Sequence, residues 1–249
     1  ELLRVAIADL LGQADITAVG DGLSDVMSAT MDAALDVARR GIDDAPPLAI
    51  IALGRWGGQE LSYASDADGM VVIPDGLGAE ALARAAKVIT RLRELLRRPG
   101  RDPAVELDID LRPEGKSGAM VRTLDSYAAY YEKWASTWEA QALVRASHGA
   151  GDPALSASLM ATIDKLRYPD GGLSSRQIND IRRLKARMEN ERMPRGIDPR
   201  RHVKLGPGGL TDVEWCVQLL QLEHGHEAPS IRTPRTLAAL AAEEAAGFL

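Results

Sequence analysis

Two short aliphatic runs, at residues 48–53 and 70–73, enclose a glycine-rich polar stretch. The stretch reads GRWGGQELSYASDAD. Apolar runs of this length next to glycine favour buried strands, so the pattern predicts a strand, a glycine turn, a polar loop and a second strand that carries Asp66 and Asp68. Side chains alternate between the two faces of a strand, so these two aspartates are predicted to point the same way.

Two carboxylates held side by side need a compensating positive charge. At a separation of about 4 Å and an effective dielectric constant of about 20, they repel each other by about 4 kcal/mol. A hard divalent cation, which takes oxygen ligands, is the usual compensation. The aspartate pair therefore indicates a candidate metal site.

A third acidic residue is expected beside this pair. The sequence VELDIDL at 105–111 alternates strictly between aliphatic and acidic residues, which is typical of a half-buried strand with one acidic face. If this strand pairs beside the one carrying Asp66 and Asp68, Asp108 joins their cluster. Taken alone, the pattern also fits a surface strand whose acidic face is solvated. Its occurrence together with the glycine turn and the Asp-x-Asp favours the metal site.

At this point the motifs resemble a known family. Gly-Gly, a short spacer, Ser-Asp-x-Asp and a later strand aspartate are similar to the nucleotidyltransferase superfamily. The longer strings GRWGGQELSYASDAD and DIDLRPEGKSG resemble the bacterial glutamine synthetase adenylyltransferase family, bifunctional enzymes that attach and remove AMP on a glutamine synthetase tyrosine. The block HVKLGPGGLTDVEW at 202–215 is similar to a third motif of that family. The resemblance extends from about residue 48 to the C-terminus.

The resemblance implies a chemistry for the acidic cluster. Asp66, Asp68 and Asp108 become the implied ligands of Mg²⁺ and the implied catalytic residues, with ATP as the substrate. Asp108 would complete a second metal position or accept the proton of an incoming tyrosine hydroxyl. The implied partners are glutamine synthetase and a PII-type signal protein.

The direction of the reaction stays open at this level. Family members are usually long chains with two catalytic halves, and this chain is similar to one of them. The stretches ERMPRGIDPRRH and KLGPGGLTDVEW resemble the half that adds AMP. Two alternatives remain: a half that removes AMP by phosphorolysis, and a non-catalytic regulatory module that binds a nucleotide or a partner.

Further residues are predicted to bind the nucleotide. Glycine lets backbone N–H groups approach a phosphate closely, which indicates Gly57 and Gly58, together with Ser65. The sequence contains no P-loop motif. The basic residues predicted to meet phosphate are Arg112, Lys116 and Lys204.

The rest of the chain is predicted to be largely helical. Helical spacing of apolar residues predicts one helix through 23–38 and another over about 79–98. We predict N-terminal helices in 1–46, a nucleotidyltransferase catalytic domain in 47–124 and a C-terminal helical bundle in 125–249. The fold class is α/β (α+β), with a small mixed sheet covered by helices. The pattern Thr211-x-x-Glu214 predicts a capping box at the start of a late helix.

The aromatic residues are concentrated in one segment. Five of them fall at i, i+3, i+4, i+7 and i+11, which predicts one face of a single helix. An adenine-stacking shelf is one interpretation, but a helix packed by its aromatic stripe is favoured, because aromatic side chains dominate core energetics. These residues are Tyr127, Tyr130, Tyr131, Trp134 and Trp138.

Composition excludes several classes of function. The net charge of −6 argues against a nucleic-acid partner, which would require a basic surface. Cys216 is the single cysteine, so an internal disulfide framework is excluded and a reducing compartment fits. Apolar runs fall well short of the ~20 residues of a membrane span, and the sequence shows no signal peptide. These features predict a cytoplasmic protein without a membrane partner.

Overall fold

The computed structural model describes residues 1–100 and 104–249. Contacts divide the chain into two compact units. The first contains Glu1–Trp134 and Arg145–Thr162, and the second contains Ala135–Val144 and Ile163–Leu249. The predicted division at 46/47 and 124/125 groups the chain differently, because the helix after 124 and a later strand both belong to the first unit.

The elements follow the chain in a regular order. The strands are β1 (Ala49–Ala52), β2 (Ala67–Ile73), β3 (Leu107–Asp108), β4 (Arg122–Thr123) and β5 (Ser147–Gly151). The helices are α1 (Leu2–Leu10), α2 (Ile16–Arg39), α3 (Gly54–Gly57), α4 (Ala79–Leu96), α5 (Leu124–Trp134), α6 (Thr137–Leu143), α7 (Pro153–Arg167), α8 (Ser175–Arg192), α9 (Leu210–His224) and α10 (Thr236–Ala246). None of these helices is long and apolar enough to cross a membrane.

A small mixed sheet forms the centre of the first unit. The strand order is β3-β2-β1-β5, and β4 pairs with β2. β1 is antiparallel to β2 and to β5, whereas β3 and β4 run parallel to β2. β3 pairs with the start of β2 and β4 with its end, so the loop between β3 and β4 lies along one edge of β2. The predicted α/β (α+β) fold class is confirmed.

Helices α2 and α4 bury their apolar faces in the core of this unit. Asp15 caps α2 by accepting a hydrogen bond from the Ala18 N–H at 2.8 Å, a typical N-cap interaction. Met31 and Leu35 on α2, and Leu92 on α4, are almost completely buried. Both helices lie where the spacing of apolar residues predicts them. Their burial stabilises this unit, because each such side chain contributes about 1.5–3 kcal/mol when removed from water.

The predicted strand at 105–111 is much shorter than expected. Only Leu107–Asp108 pairs, because the Asp108 carboxylate accepts a hydrogen bond from the Asp110 N–H at 2.7 Å and turns the chain. Such aspartate turns compete with a strand ladder for the backbone. Asp110 therefore leaves the predicted acidic face.

The prediction of one aromatic helix is correct in part. Tyr127 is 1% exposed and donates to the Val71 carbonyl at 3.1 Å, and Tyr131 donates to the Met70 sulfur at 3.4 Å. These two tyrosines pack on β2, as the core interpretation predicts. Trp138 is not on the same helix, since α5 ends at Trp134; Trp134 is 70% exposed and Trp138 is 42% exposed.

The second unit is helical, as predicted. Its apolar core includes Ala140 from α6, Ile181 from α8 and Leu222 from α9. The buried Gln221 side chain donates to the carbonyls of Ile231 at 2.6 Å and Thr233 at 2.7 Å, so it holds the segment before α10 against α9.

The capping box predicted at Thr211 and Glu214 is wrong. The N-cap of α9 is Gly209, two residues earlier, and the Thr211 hydroxyl donates to the Lys204 carbonyl at 2.7 Å. The Asp212 carboxylate accepts the Gly208 N–H at 2.7 Å and so ties the first turn of α9 to the loop before it, but it does not cap the helix.

Candidate active site

The aspartates predicted on two separate strands are neighbours in the sheet. In the parallel pairing of β2 with β3, Asp68 is the register partner of Asp108. Partner residues on adjacent strands lie about 4.8 Å apart and project from the same face. The Ala67 N–H also donates to the Glu106 carbonyl at 3.0 Å, which fixes this register. The predicted pairing of the acidic strand beside the Asp-x-Asp strand is confirmed.

Asp66 lies one residue before β2 and is exposed, whereas Asp68 and Asp108 are half-buried. The side chains are not arranged as a closed ligand set: within residues 1–100 and 104–249, no three His, Cys, Asp or Glu side chains form a group that could hold a metal ion. One Asp108 oxygen is occupied by the Asp110 N–H. The backbone thus brings the donors together, and their metal role stays a prediction.

The Gly-Gly sequence ends a one-turn helix rather than an open glycine loop. Its backbone N–H groups are already used, since Gly57 donates to the Leu53 carbonyl at 2.8 Å and Gly58 to the Gly54 carbonyl at 3.1 Å. The turn is tied to the aspartate strand as well, because the Leu53 N–H donates to the Asp68 carbonyl at 2.9 Å. A phosphate-binding role for the two glycines stays a prediction.

Close packing explains why both positions are glycine. A Cβ on Gly57 would overlap the carbonyl oxygens of Arg145 and Ala52, and one on Gly58 would overlap the Arg145 guanidinium. Gly54 has a φ of +55° and lies directly against the Asp68 carboxylate, so a Cβ there would be 2.5 Å from Asp68 Oδ2. The glycines therefore let the turn fit between the aspartate strand and the residues before β5.

A buried ion pair supports this turn and was missed from the sequence. The Arg145 guanidinium, whose side chain is 7% exposed, pairs with the Glu60 carboxylate. The Ser147 hydroxyl donates to the Gly57 carbonyl at 2.9 Å. Glu60 and Arg145 are 85 residues apart, so only the folded chain reveals the pair. The sequence feature that could have indicated a buried charge is the position of Arg145 inside the otherwise apolar run ALVRA.

Ser65 closes the loop before the first aspartate. Its hydroxyl accepts a hydrogen bond from the Ser62 N–H at 3.0 Å and lies 3.0 Å from the Ser62 hydroxyl. This small turn positions the chain that enters β2. Direct binding of a phosphate by Ser65 stays a prediction.

The loop after β3 contains two of the basic residues predicted to bind phosphate, and these two differ in how far their side chains are exposed. Arg112 is 7% exposed and donates to the carbonyls of Ile109 at 2.8 Å, Gly118 at 3.1 Å and Lys116 at 3.2 Å. Four of its five N–H groups are used when the 3.3 Å contact with Asp110 is included. Arg112 is thus positioned as the internal support of this loop.

Lys116 is the accessible cation of the same loop. Its side chain is 84% exposed, and its ammonium group lies 3.3 Å from the Asp110 carboxylate. An exposed pair of this kind contributes only about 0–1 kcal/mol, so the ammonium group can exchange partners easily. Of the two residues, Lys116 is the one with an exposed cationic group, and its binding of phosphate stays a prediction.

Lys204 belongs to the second unit, in the glycine-rich loop before α9. Its carbonyl accepts hydrogen bonds from the Thr211 N–H at 3.1 Å and the Thr211 hydroxyl, while its side chain is exposed. The loop is held to α8 by Lys185, which pairs with Asp212 and Glu189. The hydrogen bond from Lys185 lowers the pKa of Asp212 below its ordinary value. The predicted nucleotide contact of Lys204 stays a prediction.

The first unit has the features of a nucleotidyltransferase-type domain. These features are the small mixed sheet, the glycine turn after β1 and the aspartates in register on β2 and β3. The family model described as glutamate-ammonia ligase adenylyltransferase matches residues 1–162, which is well over half of the chain. The chain belongs to this family, and the resemblance inferred from the motifs is confirmed.

Individual relatives agree with the family model. The chain is 56% identical to the bifunctional glutamine synthetase adenylyltransferase/adenylyl-removing enzyme of Cutibacterium acnes over 249 residues, covering 100% of the chain and 25% of that protein. The enzyme of the same name from Streptomyces coelicolor is 50% identical, over 100% of the chain and 27% of the relative. That of Mycobacterium tuberculosis strain H37Rv is 50% identical, over 96% of the chain and 25% of the relative.

Two further findings concern the extent of these matches. The chain spans about a quarter of the length of the curated relatives it matches. In addition, a second family model, described as GlnD PII-uridylyltransferase, matches residues 179–249, which include most of α8 together with α9 and α10.

Proposed function

We propose that this chain carries a site that transfers AMP from ATP to a tyrosine hydroxyl of glutamine synthetase and releases pyrophosphate. The observation that carries the proposal is the register of Asp68, the second aspartate of the Ser-Asp-x-Asp sequence, with Asp108 on the parallel strand β3. The names of the relatives, which are glutamine synthetase adenylyltransferases, support the choice of reaction and acceptor.

The donor set suits Mg²⁺. Carboxylate oxygens are the ligands that a hard divalent cation takes, and we assign Asp66, Asp68 and Asp108 to it. Because the carboxylates do not form a closed ligand set on their own, side-chain rotations would be needed for binding. Bound Mg²⁺ would supply positive charge that offsets the repulsion of the aspartates and neutralises the phosphates of ATP.

The protein groups have separate tasks in this reaction. Asp108 has one oxygen fixed by the Asp110 N–H, so its other oxygen would either complete a second metal position or accept the proton of the attacking tyrosine hydroxyl. Lys116, exposed on the loop after β3, would bind the negatively charged phosphates. Arg112 holds that loop in place through its hydrogen bonds to loop carbonyls. Gly57, Gly58, Ser65 and Lys204 are kept as further proposed nucleotide contacts.

The opposite reaction is the second candidate. The relatives are named both for adenylyl transfer and for adenylyl removal, and this chain corresponds to about a quarter of each. Phosphorolytic removal of AMP would use the same aspartates, with phosphate as the nucleophile and ADP as a product. A module that binds nucleotide without turnover is the third candidate.

Two further assignments follow from the family. We propose a PII-type signal protein as the regulatory partner, supported by the match of 179–249 to the PII-uridylyltransferase model. We also propose a cytoplasmic location, where the exposed thiol of Cys216 would stay reduced.

The test is transfer of radiolabel from α-labelled ATP to unmodified glutamine synthetase in the presence of Mg²⁺. The chain is compared with Asp68→Asn, and with Asp25→Asn as a matched control at an exposed position of α2. Labelling by the parent and the control, but not by Asp68→Asn, supports the proposal. ADP formed from phosphate and adenylylated synthetase, without labelling in the forward direction, assigns the removal reaction. Binding of MgATP without either reaction leaves a binding module and refutes the enzyme.

A further inference from the structure

The second unit contains an open groove with an unusual lining. Its volume is about 590 Å³, and it lies between the start of α6 and one face of α8. Trp138 forms one wall and is 42% exposed, while Ile181 and Leu184 contribute an apolar floor. An exposed tryptophan beside aliphatic side chains is the composition expected of a binding surface.

The same groove is strongly basic. Arg176, Arg183 and Arg187 line it, and among the lining residues that the structure describes Asp180 is the one acidic side chain. Arg183 has a distant ion pair with Asp180 at 4.0 Å, whereas Arg176 and Arg187 make no ion pair within the residues that the structure describes. The lining therefore carries a local excess of positive charge on a chain whose net charge is −6.

The spacing of the arginines indicates the shape of the ligand. They occupy positions i, i+7 and i+11 of α8, so the charges extend over about 16 Å along the helix at 1.5 Å per residue. A single phosphate group needs donors that converge on one point. Charges spread along an open groove instead match several carboxylates on an elongated segment, with an apolar side chain for Trp138 and the floor.

We propose that this groove binds an acidic, amphipathic segment of a protein partner. Carboxylates of the segment pair with Arg176, Arg183 and Arg187, and one of its apolar side chains packs on Trp138. The proposal does not rest on the adenylyl-transfer activity, since no aspartate of the candidate active site takes part in it.

The test uses the whole chain and a labelled model peptide. The probe is a fluorescein-labelled peptide of about 16 residues with glutamate and leucine at helical spacing, a length that covers the groove. The same peptide with glutamine in place of glutamate is the uncharged control. Binding is measured by fluorescence anisotropy, and contact with Trp138 by the tryptophan emission of the chain and of Trp138→Phe.

Two charge-matched double variants separate specific binding from general attraction. Arg176→Gln/Arg187→Gln removes groove residues, whereas Arg182→Gln/Arg192→Gln removes two exposed arginines of α8 that do not line the groove. We expect the first variant to weaken binding of the glutamate peptide by about tenfold, and the second by less than about twofold. Circular dichroism of both variants confirms that α8 is intact.

Three results would overturn the proposal. Equal weakening by the two double variants would show only non-specific charge attraction. Failure of the glutamate peptide to bind at about 1 mM, the weak limit of specific association, would show that the groove has no such ligand. Quenching of Trp138 by ATP that is lost in Arg176→Gln/Arg187→Gln would assign the groove to a nucleotide instead.

Discussion

Glu243 on α10 predicts a pH dependence of stability that can be worked out from its surroundings. Its side chain is 0% exposed, and neither carboxylate oxygen has a hydrogen-bond partner within the described part of the chain. Burial without a partner raises its pKa from 4.5 to about 7. A charged carboxylate in such a place is strongly unfavourable, so the folded protein keeps the proton to higher pH than the unfolded chain does.

The sign and size of the effect follow from this difference in pKa. Below pH 4.5 both states are protonated, and ionisation of Glu243 costs no stability. Between pH 4.5 and 7 the unfolded chain loses the proton first, so the free energy of unfolding falls as the pH rises. The difference between a pKa of 4.5 in the unfolded chain and one of about 7 in the folded protein corresponds to a total loss of about 3 kcal/mol, complete above pH 7.

The assay compares the parent chain with Glu243→Gln, and with Glu244→Gln as a control at the neighbouring exposed position. Hydrogen exchange of the α10 amides reports the local free energy of opening at several pH values. We expect Glu243→Gln to abolish the decline between pH 4.5 and 7, and Glu244→Gln to leave it unchanged.

A direct titration checks the cause. With ¹³C-labelled glutamate, the carboxyl signal of Glu243 should change near pH 7. A titration near pH 4.5, or the same pH profile of opening in both variants, would refute the argument that the buried carboxyl is responsible.

Three shorter predictions concern the first unit. Gly57→Ala should lower the free energy of unfolding by more than about 2 kcal/mol in urea denaturation, because its Cβ would overlap backbone oxygens. Gly78→Ala has open space and affects only the N-cap of α4, so it should lower this free energy by about 1 kcal/mol or less; equal effects would contradict the packing argument. Asp68→Asn should reduce adenylyl transfer more than about 100-fold with an unchanged melting temperature, and near-normal transfer would exclude Asp68 from the site. Lys116→Gln should raise KM for ATP without altering the free energy of unfolding, because its side chain is exposed. Arg112→Gln should lower the free energy of unfolding by about 1–3 kcal/mol, because it loses hydrogen bonds to loop carbonyls. The opposite result would make Arg112 the phosphate-binding residue and Lys116 the structural one.

Local sequence patterns determined the elements of this protein but not their ends. The aliphatic run at 48–53 and the helical spacing over 79–98 were sufficient to predict β1 and α4, because the order of apolar residues along a short segment shows which of its side chains are buried. The strand predicted at 105–111 was too long, since the Asp108 carboxylate competes for the backbone and turns the chain after two residues.

The sequence by itself also located the candidate site. The Asp-x-Asp, the glycine turn and the alternating acidic strand lie at short spacings and resemble the nucleotidyltransferase superfamily, and the family that the longer motifs imply is confirmed. Only the tertiary structure decided that Asp68 lies in register with Asp108, since strand pairing joins residues 40 positions apart.

Tertiary contacts also decided that Arg112 supports the loop while Lys116 is exposed, and that Gly57 belongs to a packed turn and not to an open phosphate-binding loop. Which basic side chain is buried, and which N–H group is already hydrogen-bonded, depends on contacts that the folded chain makes. The Arg145–Glu60 pair lay beyond prediction for this reason too, because an ion pair across 85 residues leaves no periodic trace in the sequence.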